Sequence, residues 1–267
     1  MKKFIYVVVA ILLTFSANAQ KDKKKVYGMY IQWGYNMEWY TNSNVHFRLA
    51  NGDNFTLYKA KAHDKPDFDA VYKKPAEVSI PQYNYRVGFY VNSQKTKAVE
   101  INFDHIKYVL TDGQKVSVKG VINNQPVDGD SILNPTQFLH LEHTDGGNLL
   151  HINYVQQNTI LRSKYTHRPL LNLLWKAGAG INIPRTDFTY HGQRLNNKFH
   201  IAGYNFGAEG GARIYPFHHF FIEATGKTGY VRYINALANT PEMKGNRVHH
   251  GFGYFEMIAT LGVDVKI

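Results

Sequence analysis

Long stretches of strict two-residue alternation constrain this chain more than any other feature. In 26–40 the odd positions are Tyr27, Met29, Ile31, Trp33, Tyr35, Met37 and Trp39, while Gly28, Gln32, Gly34, Asn36 and Glu38 fill the even ones. In 169–183 the odd face is Leu171, Leu173, Trp175, Ala177, Ala179, Ile181 and Ile183, opposite Asn172, Lys176 and Asn182. In 201–215 the even face is apolar from Ala202 to Ile214, and Asn205, Glu209 and Arg213 lie opposite. In 253–267 the odd face runs from Phe255 to Ile267, opposite Glu256, Thr260, Asp264 and Lys266. Side chains alternate across a strand, so each segment reads as a strand with one apolar and one polar face. A half-buried soluble strand alternates for about 5–6 residues. These runs are far longer, and a tilted strand needs about 9–11 residues to cross a bilayer. Lipid offers no partner to an open sheet edge, so strands that cross it must close into a barrel.

Composition agrees with this reading. Phe, Tyr and Trp make up 14% of the 267 residues. Mean hydropathy is −0.37, as befits a chain that buries only alternate residues in lipid. With no Cys, a disulfide scaffold, a Cys-ligated zinc site and a thiol nucleophile are excluded. Residues 1–19 read as a signal peptide: Lys2 and Lys3, an apolar run from Phe4 to Phe15, then Ala17-Asn18-Ala19 as a small-x-small cleavage pattern. A basic segment, 20–25, follows, and residues 26–267 form the barrel domain. The formal charge of +11 belongs with lumen, loops and anionic lipid, since the export signal disfavours nucleic acid.

Weaker strand candidates are 44–50, 54–62, 83–93, 98–111, 115–121, 137–143, 149–160 and 218–234, giving twelve strands in all. An even number returns both termini to the periplasm. Connections 63–82, 184–200 and 235–252 then fall outside, and 51–53, 94–97, 161–168 and 216–217 inside. Segment 122–136 is long yet falls inside, which leaves ten or eight strands open, with early hairpins beyond the membrane. Asn51-Gly52, Asp112-Gly113 and Asp145-Gly146-Gly147 are hairpin signals.

The signal segment, the long alternating strands and a C-terminal strand ending Leu261-Gly-Val-Asp-Val-Lys-Ile267 resemble the small and medium outer-membrane β-barrels of Gram-negative bacteria. The resemblance implies an all-β, antiparallel transmembrane barrel in the cell outer membrane. It also implies outer-membrane lipid, including lipopolysaccharide, and the barrel assembly machinery as partners. His143-Thr144-Asp145-Gly146-Gly147-Asn148 loosely resembles the His-x-Ser-Asn-Gly motif of the lipid-A-deacylating barrels. It lacks the Ser, so no catalytic residue transfers.

Three groups of residues could carry chemistry. The apolar phase slips at Asp104-His105, from odd (Val99, Ile101, Phe103) to even (Ile106, Tyr108, Leu110). A β-bulge at a rim would produce this and leave an acid/His pair; a strand that simply leaves the membrane would produce it without one. His140, Glu142, His143 and Asp145 sit on a hairpin, His140 and Glu142 on one strand face and His143 and Asp145 on the other, so no face holds three potential metal ligands. Asp104, His105, His140, His143 and Asp145 are therefore the catalytic candidates, with no metal or other cofactor expected. Pairing 201–215 with 218–234 about position 217 places Arg213 near Glu223 and Glu209 near Lys227 as diagonal neighbours. This inward charge would either plug the lumen or select solutes. Three functions follow in order: a structural or solute-interacting barrel, a lipid-modifying rim hydrolase, and a narrow channel.

Overall fold

The computed structural model describes residues 26–66 and 82–266, all in strands, turns and loops. The signal segment, the basic segment 20–25 and part of connection 63–82 lie outside the described residues. From the periplasmic side β1 (Met29–Tyr40) rises. The chain then builds β2 (Ser43–Arg48), β3 (Asn54–Ala60) and β4 (Ala62–His63) on the far side, and descends in β5 (Tyr83–Tyr90). After a short turn β6 (Lys97–Asp104) rises, and β7 (Tyr108–Leu110), β8 (Lys115–Ile122), β9 (Gln125–Ile132) and β10 (Leu139–His143) form outside. The long β11 (Gly147–Arg162) descends and β12 (Pro169–Pro184) rises. The external strands β13 (Asp187–Tyr190) and β14 (Gln193–Asn196) precede the descending β15 (Gly203–Ile214). Finally β16 (Phe220–Leu237) rises and β17 (Arg247–Val265) descends.

Antiparallel pairing runs β1-β5-β6-β11-β12-β15-β16-β17 and returns to β1, with Met29 opposite Val265 and Tyr40 opposite Tyr254. This ring closes the barrel. Twelve strands do share one sheet, but the ring contains eight of them. The other four, β2-β3-β8-β9, continue the sheet from the outer end of β17, where Arg247 pairs with Arg48. Residues 51–53 accordingly turn outside the membrane, not in the periplasm. The troublesome 122–136 dissolves into the β8–β9 hairpin. Its turn residues Asn123 and Asn124 both have positive φ, as a type I′ connection needs.

The four long alternating segments behave as their pattern predicts. Their polar sets point inward, while Trp39, Trp175, Phe206, Phe255, Met257, Leu261 and Val263 stand about half exposed on the outside. The apolar belt begins near Leu171, Ile214, Ile222 and Val265 and ends near Trp39, Tyr204, Tyr230 and Phe255. Trp39 and Phe255, with ring centroids 5.8 Å apart, belong to its outer aromatic girdle. The phase slip at Asp104-His105 has the simpler cause: β6 ends at Asp104, and the chain leaves the barrel before β7 starts in another sheet.

That second sheet, ordered β14-β13-β10-β7-β4, packs against the extension β2-β3-β8-β9. Phe47 stacks on Phe188 at 5.6 Å, and Phe55 meets Phe138 at 5.6 Å. Tyr108 of β7 stacks on Phe252 of β17 at 4.4 Å and lies 5.1 Å from Tyr40, tying this domain to the barrel mouth. The larger apolar core is therefore extracellular, because most of the barrel interior is polar.

Candidate functional site: the filled lumen and its outer cap

Each lumen side chain is placed by strand phase. Arg86 on β5, Glu100 and Asp104 on β6, Lys176 on β12, Glu209 and Arg213 on β15, Glu223 and Lys227 on β16 and Glu256 on β17 all point inward and are buried. Arg86 Nη1 donates to Glu209 Oε1 at 2.6 Å and lies 3.6 Å from Glu100 and 3.9 Å from Glu223. Its Nη2 is 3.9 Å from Asp104. Lys176 Nζ reaches Glu223 at 2.7 Å, Glu100 at 3.0 Å and Glu209 at 3.4 Å. Lys227 Nζ lies 2.5 Å from Asp104 and 3.7 Å from Glu256. Arg213 holds Glu223 at 2.7 Å, with its guanidinium 4.0 Å from the Phe221 ring and 4.5 Å from that of Tyr30. Charges removed from water survive only when paired and hydrogen-bonded, and here every cation meets at least one carboxylate.

Below the charges, Tyr30, Tyr90, Tyr215 and Phe221 close the periplasmic end as a buried aromatic cluster. Tyr30 Oη donates to Glu100 at 2.7 Å, and Tyr90 Oη donates to Asp264 at 2.8 Å. Gly88 makes room for this plug: a Cβ there would sit 2.0 Å from Tyr30 Cζ. Above the charges, Tyr40, Tyr108, Tyr233, Phe252 and Tyr254 belong to the extracellular core. Both ends of the lumen are thus covered by rings.

Arg213 faces Glu223 and Glu209 faces Lys227 directly across the β15–β16 ladder, not diagonally, because the hairpin is centred one residue later, on 218. Arg213 and Glu223 pair with each other. Glu209 takes Arg86 and Lys176 across the lumen, and Lys227 takes Asp104. Arg86 was missed as the hub. Its inward phase in 83–93 was legible, but the partners facing it from other strands depend on the closed ring.

The catalytic candidates do not converge. Asp104 points into the lumen toward Lys227. His105 turns away, its Nδ1 2.9 Å from Asn148 Oδ1 and its ring stacked on Tyr83 at 4.8 Å. His140 Nδ1 lies 2.8 Å from Asp112 and its Nε2 3.6 Å from Glu142. Burial opposes its protonation, but the two carboxylates outweigh it and raise its pKa. The His140 hydrogen bond, ahead of opposing burial, holds Glu142 low. His143 points to the opposite face of β10 and is fully buried, with Nε2 3.0 Å from His250 Nε2 and Nδ1 3.0 Å from Thr186 Oγ1. Burial pushes its pKa down to about 3. Asp145 bonds Asn196 at the exposed tip, 4.0 Å from Arg185. Among the described residues, no three His, Asp or Glu side chains stand together as metal ligands. A concavity of about 460 Å³ lies instead on the extracellular β8–β9 hairpin, lined by Val118, Ile122, Val127, Asp130, Gln137 and Phe138.

A closed ring with a polar filled interior, an apolar outer belt and short turns at one end defines a transmembrane β-barrel of the outer-membrane kind. The chain folds as a transmembrane β-barrel. Similar solved structures include Neisserial surface protein A, 8% identical, covering 91% of this chain and 100% of that chain with a TM-score of 0.38. The outer membrane protein OprG from Pseudomonas aeruginosa is 11% identical over 91% of this chain and 98% of that chain, with a TM-score of 0.40. Ail, the attachment invasion locus protein of Yersinia pestis, is 11% identical over 88% and 99%, with a TM-score of 0.34. No protein-family model and no curated protein matches the sequence.

Proposed function

We propose that this protein is a sealed, non-catalytic barrel that holds a folded β-domain on the cell surface, and that this domain is its interacting part. The observation that carries the reading is the lumen: Arg86, Lys176, Arg213 and Lys227 are interlocked with five carboxylates between two aromatic seals. A conducting path needs water along the axis, and this interior is occupied by paired side chains. A rim hydrolase needs an acid, a base and a nucleophile within hydrogen-bond reach of one reacting atom. Asp104, His105, His140 and His143 face four different surroundings, which speaks against that alternative.

Two measurements test the reading. Purified folded protein in a planar bilayer is expected to give no conductance steps; well-defined steps would establish a channel instead. Mass spectrometry of lipid A from cells with and without the protein is expected to show unchanged acyl composition. A change abolished by His105→Ala or His143→Ala would restore the enzyme.

A further inference from the structure

The outer end of β17 carries an arrangement that folding stability alone does not favour. Arg247 of β17 stands directly opposite Arg48 of β2, and one step toward the membrane His249 stands opposite His46. The two imidazole centroids are 5.8 Å apart. Like charges facing each other across a ladder destabilise a sheet. One step further down, Arg232 of β16 pairs with Gly251 on the same outward face. Arg48 is exposed and the other four are half-buried, so all five remain within reach of an external ligand.

No carboxylate among the described residues neutralises the group. Among the described residues none forms an ion pair with Arg48, Arg232 or Arg247, and Arg247 Nη1 donates only to the Asn246 carbonyl, at 2.8 Å. Farther along this face, β3 presents Asn54, Thr56 and Tyr58, and β8 presents Lys119, which Asp128 of β9 holds at 3.1 Å. Asp53 turns inward, accepting from Tyr190 Oη at 2.7 Å. The rings are held in place: His46 Nδ1 lies 3.0 Å from Thr56 Oγ1, and His249 bonds the Ile234 carbonyl. Burial first, then the neighbouring basic groups, keeps both imidazoles less basic than usual. A bound anion would reverse that second effect.

Position identifies the anion. Arg232 pairs with Tyr204 and lies two residues above Tyr230, whose ring is 5.9 Å from Phe206 in the outer girdle. Gly251 lets the Tyr230 and Arg232 side chains lie across this step: a Cβ there would meet Tyr230 Oη at 2.2 Å and Arg232 Cδ at 3.1 Å. The basic column therefore starts at headgroup level and climbs β17 for about 13 Å, at roughly 3.3 Å per residue from Gly251 to Arg247.

We propose that the outward face of β16, β17 and β2 binds the phosphate groups of outer-leaflet lipid. Arg232 would meet the phosphate nearest the acyl chains, and the Arg48–Arg247 and His46–His249 steps those further out. Arginine suits this role because its planar fork matches a phosphate, and a phosphate over facing arginines removes their repulsion. The inference rests on the orientation that places the β-domain on the outer leaflet. It stands apart from whether the barrel conducts or catalyses.

The test uses the full protein in nanodiscs of phosphatidylcholine, with or without diphosphoryl lipid A, followed by native mass spectrometry and nitrogen-15 histidine NMR. Lipid A is expected to be retained and to raise the titration midpoints of His46 and His249. Retention should fall about fivefold for each of Arg48→Gln, Arg247→Gln and Arg232→Gln, at roughly 1 kcal/mol per basic residue near a charged surface. Lys119→Gln should retain lipid as the unsubstituted protein does. Undiminished retention in the arginine variants, or an equal loss in Lys119→Gln, would overturn the site. Equal histidine shifts from inorganic phosphate in pure phosphatidylcholine would make it a free-anion site and overturn the lipid assignment. Arg232→Gln lies on a barrel strand, so it remains informative if altering β2 prevents folding. Conductance steps or altered lipid A acyl composition would refute the sealed-barrel reading without touching this result.

Discussion

His143 and His250 meet ring to ring, Nε2 to Nε2 at 3.0 Å, deep beneath the extracellular domain. One ring must donate and the other accept, so the contact excludes a doubly protonated pair, and burial keeps both imidazoles neutral. Burial pushes His143 down to about 3, and burial, with His143 next, lowers His250 well below its usual range. A histidine with a depressed folded pKa stays neutral in the fold but protonates in the unfolded chain. Below about pH 6.5 the unfolded state then binds more protons, and stability falls as pH falls toward about 3, by up to about 1.4 kcal/mol per pH unit per histidine.

Unfolding of the extracellular domain, followed by protease susceptibility at decreasing pH, should show this loss between about pH 6.5 and 4. The double variant His143→Gln, His250→Gln should flatten the dependence. An unchanged slope in the double variant would mean that other groups carry it.

Arg86 faces four carboxylates in a buried lumen. Arg86→Met leaves them with too little positive charge, which should cost about 3–5 kcal/mol by urea unfolding in liposomes. Adding Glu209→Gln should recover part of the loss, because the two residues touch. Strict additivity of the two changes would show that they are not coupled.

The position of the lipid belt is testable by charge. Leu261 is 48% exposed on the outer face of β17 near the middle of the belt. Leu261→Arg should cost about 2–4 kcal/mol, as an arginine near the bilayer midplane does. Tyr58→Arg, on the outward face of the extracellular extension, should stay within about 0.5 kcal/mol. Equal costs at both sites would misplace the membrane.

Gly88 lies under the Tyr30 ring, which a Cβ would overlap at 2.0 Å. Gly88→Ala must displace that ring and weaken its bond to Glu100. The expected loss is about 1–3 kcal/mol, the usual cost of overpacking. Midpoints of heat-modifiable gel mobility would register it, and an unaltered midpoint would count against a packed plug.

Much of the barrel was legible because alternation is a local property. Leu171 to Ile183, Ala202 to Ile214 and Phe255 to Val265 announce their faces without reference to any neighbour. The extracellular strands were found as strands but assigned to the wrong place. Val45, Phe47, Phe55 and Leu57 alternate just as barrel strands do, and nothing local states whether the polar face meets a lumen or water. Segment 98–111 shows the same limit: its phase slip was visible, but whether the strand bulged or left the barrel depended on where β7 found partners. Among the candidate residues, His140 and Glu142 were correctly placed on one face of a strand. The contact between His143 and His250 joins residues 107 positions apart, and no local pattern encodes it.

The sequence by itself determined that the chain alternates over lengths suited to a bilayer, which residues point toward lipid and which inward, and where the charges fall along each strand. Tertiary structure alone decided that eight strands close while four continue outside, and that Arg86 rather than Arg213 is the hub of the lumen. It also decided that two arginines face each other above the membrane. The physical reason is that side-chain phase is fixed by the backbone of one strand. Ring closure, register and the partners across a lumen or ladder are fixed only when distant strands pair.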